Sequence, residues 1–353
     1  MTTVLIAPDS FKGSLTSVQV ARALADGWAI ARPDDVILLC PLADGGEGTL
    51  AAIEAAGGWT VMTTQVTDPI GRRIPARWLR SEDGRRAVVE MAEASGLSRL
   101  TTEERDPIGA TSRGTGELLR TAIQAGVDDV TLGIGGSATT DGGRGLLEGL
   151  GTDVALDGVS LAVACDVDNP LLGPRGAAAI YGPQKGAGPD DVVALDARNA
   201  AWADELEART GRSERDTSGA GAAGGVGFAL LASQDRFRSF ALRPGVDLLM
   251  EATDFDARLA RADLVITGEG RIDAQTGFGK TALGVAKRAQ AAGVPCIAVG
   301  GGVEVDGIEA LAAVGAVAVP VVERPQTVES AMAAGTEPLV RCGTRLARLV
   351  SLA

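Results

Sequence analysis

Short apolar runs alternate with longer stretches of helical period at both ends of the chain. Residues 4–7 form an apolar run that reads as a strand. Thr16 is placed to cap a helix over 18–31, where Val20, Leu24 and Trp28 fall on one face. A second strand over 36–40 and a second helix over 48–56 follow. The same order returns near the C-terminus: strand 263–267, helix 281–291, strand 294–299, short helix 308–313 and strand 316–319. A closing helix over 327–349 is interrupted near Pro338. Strands alternating with helices imply a parallel sheet. Between the ends the pattern changes. Residues 60–66, 74–79 and 86–91 are β-rich runs with no helix between them, which marks an antiparallel or mixed section. Beyond them, 117–125 and 190–209 read as helices, and 129–132 and 161–165 as strands. The expectation is one discontinuous α/β domain from residues 1–60 plus 260–353, with a second mixed α/β domain, 61–259, inserted. A chain of 353 residues fits two domains at about 150 residues each.

Composition narrows the chemistry. The net charge is 33 − 46 = −13, a poor footprint for nucleic acid or an anionic membrane. The Arg-rich stretch 72–86 reads as a solvated strand face. No apolar run approaches the ~18 residues of a membrane span, and the N-terminus reads as a strand rather than a signal peptide. The cytoplasm is the expected location. The chain has no histidine, which excludes a Ser–His–Asp triad, a Cys–His pair and a zincin motif. Catalysis then leans on carboxylates, lysines, positioning and metal ions. Cys40, Cys165, Cys296 and Cys342 are widely spaced with no CxxC, so buried thiols are expected rather than disulfides or a metal site.

Glycines cluster in six places, around 44–48, 133–143, 182–188, 219–227, 268–279 and 300–302, and read as loops on an α/β scaffold. Pro8-Asp9-Ser10-Phe11-Lys12-Gly13-Ser14 follows the first strand, where open α/β sheets bind ligands. Asp9 suits a metal or a substrate hydroxyl, and Ser10 and Lys12 suit an anion. Asp44-Gly45-Gly46-Glu47-Gly48-Thr49 is the second such loop, with two carboxylates, Asp44 and Glu47. Gly133-Ile134-Gly135-Gly136-Ser137-Ala138 matches GxGxxA, but the polar Thr139-Thr140-Asp141-Gly142-Gly143 that follows makes the loop long for a dinucleotide fingerprint. It would cradle a phosphate equally well. Asp166 and Asp168 share one face of an extended chain and are Mg²⁺ candidates. Lys185, flanked by glycines, suits an anion. The small residues at 219–227, with Gly221, Gly224 and Gly225, serve either a phosphate or close helix packing. Gly279-Lys280-Thr281 lacks the spacing of a Walker A motif but leaves Lys280 as a phosphate lysine at a helix start.

In order along the chain, APDSFKGSLT, ADGGEGT, GIGGSATTDGG, CDVDNPLLGPRGA, YGPQKGA, GAGAAGG and ITGEGRIDAQTGFGK together resemble the class I glycerate kinase family over nearly the whole length. The resemblance implies a flavodoxin-like domain with a second α/β domain inserted, an active site in the cleft between them, and ATP-dependent phosphorylation of D-glycerate at the 2-hydroxyl. Glycerate and ATP are the expected partners and Mg²⁺ the expected cofactor. Thr140 stands where the family usually has Asn, and Arg113 where it has an aromatic. Between Gly151 and Leu161 the chain is shorter than the family pattern.

Within that expectation, Lys12, Asp44, Asp141 and Lys280 are the catalytic candidates. Asp9, Ser10, Glu47, Ser137, Arg271 and Asp273 are the substrate candidates. Lys185, Gly221, Gly224 and Gly225 are assigned to the nucleotide, and Asp166 and Asp168 to the metal. Two other readings stand beside it: an NAD(P)-dependent oxidoreductase using the 133–138 loop, and a non-catalytic sensor of sugar acids or nucleotides.

Overall fold

The computed structural model describes residues 1–274, 276 and 281–352. It divides into two compact units: Met1–Asp44, Ala51–Gly57 and Leu249–Ala353 form one, and Gly45–Leu50 with Gly58–Leu248 the other.

The first unit is built on five parallel strands: β1 (Thr3–Ile6), β2 (Val36–Leu39), β9 (Leu264–Ile272), β10 (Cys296–Val303) and β11 (Ala316–Pro320). Their order is β11-β10-β9-β1-β2. Renumbered within the unit this is 2-1-3-4-5, the flavodoxin-like order, whose topological switch point lies between β1 and β9. The apolar stripe of helix Ser17–Ala31 does what its spacing predicts: Val20, Leu24 and Trp28 are fully buried against Val4, Ile6 and Ile266. Thr16 accepts from the Gln19 amide and closes a capping box, satisfying two of the helix's unpaired donors. Helix Glu337–Val350 adds Leu339, Cys342 and Leu346 to the same core.

One expectation changes here and one is borne out. The glycines at 268–270 and 300–302 lie inside β9 and β10 rather than in loops, because the parallel ladder continues through them, pairing Gly300 with Glu269 and Gly302 with Arg271. Ladder bonding overrides the weak strand propensity of glycine. The interruption expected in the closing helix is there, between Val328–Ala333 and Glu337–Val350. Pro338 sits in the first turn of the second, where its missing N–H costs nothing, so the break precedes it.

The second unit carries a six-stranded sheet in sequence order: β3 (Trp59–Thr67), β4 (Arg73–Ser81), β5 (Arg86–Glu90), β6 (Asp129–Gly133), β7 (Ser160–Ala164) and β8 (Ser239–Arg243). β3, β4 and β5 pair antiparallel, and β5 to β8 pair parallel. The mixed section therefore starts the unit, as the run of β-rich segments without helices implied. Its core gathers Trp78, Val89, Leu118, Leu132, Leu146 and Val163. Arginines of the 72–86 stretch pair with acids, among them Arg72 with the buried Asp68 and with Glu104, and Arg77 with Glu93. All four cysteines are free thiols, and burial pushes Cys296 up to about 12. Among the described residues no helix is long and apolar enough to cross a membrane.

Candidate active site

In the first unit the candidates cluster at the carboxyl ends of β1, β2 and β9, beside the switch point. Lys12 Nζ lies 2.7 Å from Asp44 Oδ2. Asp9 is buried; its carboxylate accepts from the Ser10 amide at 2.6 Å and from Thr281 Oγ1 at 2.7 Å. Thr281 opens helix Thr281–Ala292, so Asp9 and that helix start are tied together. Burial raises the Asp9 carboxyl and Asp44 adds to the rise, while the Thr281 hydroxyl opposes it. Burial pulls Lys12 down, but the charge and hydrogen bond of Asp44, with Asp9 and Glu269, outweigh it and leave the ammonium above its usual range. Among the described residues the cluster thus holds one ammonium among several carboxyl groups.

Glu269, in β9, is buried and accepts from Thr276 Oγ1 at 2.8 Å. Arg271 turns to Glu304 and lies 3.5 Å from Asp273. Lys280 lies outside the described residues. The structure therefore brings Asp9, Lys12 and Asp44 together and gives Arg271 an acidic partner of its own.

In the second unit the candidates gather at the carboxyl ends of the parallel strands. Lys185 is fully buried. Its Nζ donates to Ser137 Oγ at 2.9 Å and to the Thr139 carbonyl at 2.6 Å. Burial brings this lysine down to about 7, with Asp141 pulling the other way. The side-chain oxygens of Thr139 and Thr140 are buried and have no hydrogen-bond partner among the described residues, an uncommon state for interior polar atoms. Asp141 accepts from the amides of Ser112, Gly143 and Gly145 and from the Ser112 hydroxyl. Four donors on one carboxylate make it the clasp that holds the loop to helix Arg144–Leu150.

The glycine-rich segments pack on one another. Gly135 donates to the Gly45 carbonyl, and a Cβ at Gly135 would stand 2.5 Å from Gly46 Cα. Gly224, at φ +70°, accepts from the Gly142 amide, and a Cβ there would meet the Thr139 carbonyl at 1.9 Å. Gly221 donates to the Asn169 carbonyl. Close backbone packing thus accounts for the small residues at 219–225. β7 ends at Ala164, before the two metal candidates. Asp166 Oδ1 accepts from the Gly245 amide at 3.0 Å, and Asp168 Oδ2 lies 3.4 Å from Arg175. Both are exposed.

The dinucleotide reading fails on this geometry. Its fingerprint needs the glycine turn to open a helix directly after the strand. Here β6 ends at Gly133 and the next helix starts at Arg144.

Sequence reasoning missed Glu90, the last residue of β5. It is buried, and its two oxygens accept from the amides of Gly48 and Leu50 at 3.1 and 2.9 Å. Burial drives it up to about 7, helped by the charges of Glu93 and Glu47 and opposed by the two amides. It anchors the backbone beneath the exposed Glu47. An acid closing the apolar run Ala87-Val88-Val89 was the available signal.

The sequence model described as the glycerate kinase family matches the chain over 4–156 and 152–351. A glycerate kinase of Bacillus subtilis (strain 168) is 42% identical, covering 90% of this chain and 91% of its own. A glycerate 2-kinase of Escherichia coli (strain K12) is 40% identical over 84% of each chain. A crystal structure from Salmonella typhimurium LT2 assigned to glycerate kinase 2 superposes with a TM-score of 0.84 at 38% identity, covering 99% of this chain and 98% of that one.

Proposed function

The chain belongs to the glycerate kinase family, and from that premise we propose that it transfers the γ-phosphoryl group of ATP to the 2-hydroxyl of D-glycerate, in the cytoplasm. The observation that carries the reading is the full-length match, with a relative named glycerate 2-kinase among those at about 40% identity.

Phosphoryl transfer asks a protein for positioning and for charge stabilisation rather than covalent chemistry. That suits a chain without histidine. Lys12 is the exposed cation of the first unit's cluster, and we assign it to an anionic oxygen of substrate. Asp44, at 2.7 Å from that ammonium, accepts or orients the hydroxyl proton. Asp9, Ser10 and Thr281 fix the backbone around them. Glu47, Arg271 and Asp273 remain substrate candidates. Lys280 remains a candidate for the transferring phosphoryl group.

In the second unit Lys185, Ser137 and the unpartnered hydroxyls of Thr139 and Thr140 offer donors to phosphate oxygens. Gly221, Gly224 and Gly225 keep the backbone close enough for that loop to hold its shape. Asp141 serves as the clasp of this loop rather than as a base, because its oxygens already accept four hydrogen bonds.

Mg²⁺ held mainly by phosphates needs only one or two carboxylates from protein. Asp166 and Asp168, hard oxygen donors two residues apart and exposed, fit that demand. No larger group of His, Cys, Asp or Glu arranged for a metal occurs among the described residues. When bound, Mg²⁺ would neutralise charge on the ATP phosphates.

The test is ADP release from the purified protein with Mg–ATP and D-glycerate, with ³¹P NMR of the product. Glycerate-dependent turnover with phosphorus coupled to the C2 proton is the expected outcome. Coupling to the C3 protons would overturn the regiochemistry. Ligand binding without turnover would favour the sensor reading.

A further inference from the structure

A cavity of about 600 Å³ opens in the second unit, and none of the residues assigned above lines it. It lies among helix Arg144–Leu150, helix Pro189–Thr210 and the segment 232–236. Its size falls within the range of small-molecule sites, about 300–1,000 Å³. Its wall is apolar at Leu147, Leu206 and Trp202.

Three guanidiniums, Arg144, Arg209 and Arg236, line the cavity together with three carboxylates, Glu148, Glu205 and Asp235. Arg144 and Arg209 stand over the Trp202 ring at 5.1 and 5.5 Å from its centroid. Each has an exposed carboxylate one helical turn away: Glu148 at 3.3 Å from Arg144 and Glu205 at 4.0 Å from Arg209. Exposed pairs of this kind contribute little and open readily. Arg236 differs. It is half-buried, it donates to the Gly151 carbonyl at 3.3 Å, and among the described residues it forms no ion pair. The neighbouring Asp235 turns instead to Arg212. Burial, and then the nearby Arg209, push the Arg236 guanidinium down from its usual range. A half-buried cation beside a like charge is an arrangement that an anion would relieve.

We propose that the cavity is a second ligand site that takes a small organic anion, with a phosphate or carboxylate head on Arg236 and Arg209 and an apolar or planar body on Trp202, Leu147 and Leu206. Trp202 Nε1 also donates to the Gly142 carbonyl at 3.1 Å. A ligand there would touch the residue that holds the end of the 133–143 loop.

The test is isothermal titration calorimetry of the full chain with phenyl phosphate, run with saturating Mg–ADP so that the phosphate-binding loops are occupied. Phenyl phosphate is expected to bind, phenol to give no heat, and Arg236→Gln to weaken binding by about tenfold or more. Turnover of Arg236→Gln without phenyl phosphate should match the parent protein. Arg209→Gln is the second variant, and circular dichroism reports whether each folds. No binding to the parent protein overturns the proposal. So does equal binding of phenol, or undiminished binding by both folded variants. None of these outcomes touches the kinase reading, which rests on glycerate-dependent turnover.

Discussion

The two clusters at the carboxyl ends of the parallel strands are built by opposite means. In the first unit the chemistry is carried by side chains that reach out from βα loops: Lys12 is 74% exposed and meets Asp44 across a single hydrogen bond. In the second unit it is carried by packed backbone. Gly135 lies on Gly46, Gly224 lies under Thr139, and Lys185 is wholly interior. An exposed ion pair adds little to stability, so the first cluster can be altered without unfolding the protein. A packed glycine loop around a buried lysine has no such freedom, because each group there is both ligand candidate and core.

The sharpest way to break this contrast is Gly224→Ala. The new Cβ would stand 1.9 Å from the Thr139 carbonyl, on a residue at φ +70°. Overlap with backbone and left-handed strain together should cost about 4 kcal/mol or more. Urea unfolding followed by tryptophan fluorescence measures it. A variant with the parent's midpoint and slope would mean that the loop is not close-packed in solution.

Lys12→Ala should do the reverse. Its stability change should stay within about 0.5 kcal/mol, since the lost partner is an exposed pair. If Lys12 holds an anionic oxygen in the transition state, kcat/KM for glycerate should fall by about a hundredfold. Unchanged kinetics in the folded variant would remove Lys12 from the site and leave the first cluster as surface electrostatics.

The same contrast explains what could be read from the sequence. Charged residues in βα loops announce themselves, because nothing in strand or helix periodicity requires Asp9, Lys12 or Asp44 there. The ends-and-middle pattern also carried the fold class, since the 2-1-3-4-5 sheet needs only alternation of strand and helix. Backbone packing leaves no such mark. The glycines at 219–225 fit either a phosphate or a tight contact until Thr139 is seen above Gly224. Lys185 looked like a loop lysine, and its burial comes from segments distant in sequence. Asp141 looked like a base until its four donors were located. Glu90 was hidden for a different reason: it closes an apolar strand, where period two places it but gives no hint of the two amides above it.

Glu90 provides the finest test, because it converts the buried character of the second cluster into a pH dependence. Its carboxyl is raised from 4.5 to about 7, mainly by burial. A carboxyl raised in the folded state binds its proton there over a range where the unfolded chain has lost it. Between pH 4.5 and 7 the folded state therefore holds the extra proton, and stability must fall as pH rises. Lys185 works in the other direction and in another window. Lowered from 10.5 to about 7 by burial, it makes stability rise with pH between 7 and 10.5. The acid window thus separates Glu90 from Lys185, and the raised Asp9 carboxyl, common to the parent and a Glu90 variant, cancels in their difference. The Glu90 contribution should decline by on the order of 2 kcal/mol from pH 4.5 to 7. Glu90→Gln should abolish that decline, read as the difference between the two proteins' urea-unfolding free energies across the window. The slope is the readout, since an amide would set an N–H against one of the two backbone donors and shift the absolute value. Equal slopes would mean that Glu90 is hydrated in solution, and that the loop it holds is more open than its neighbours.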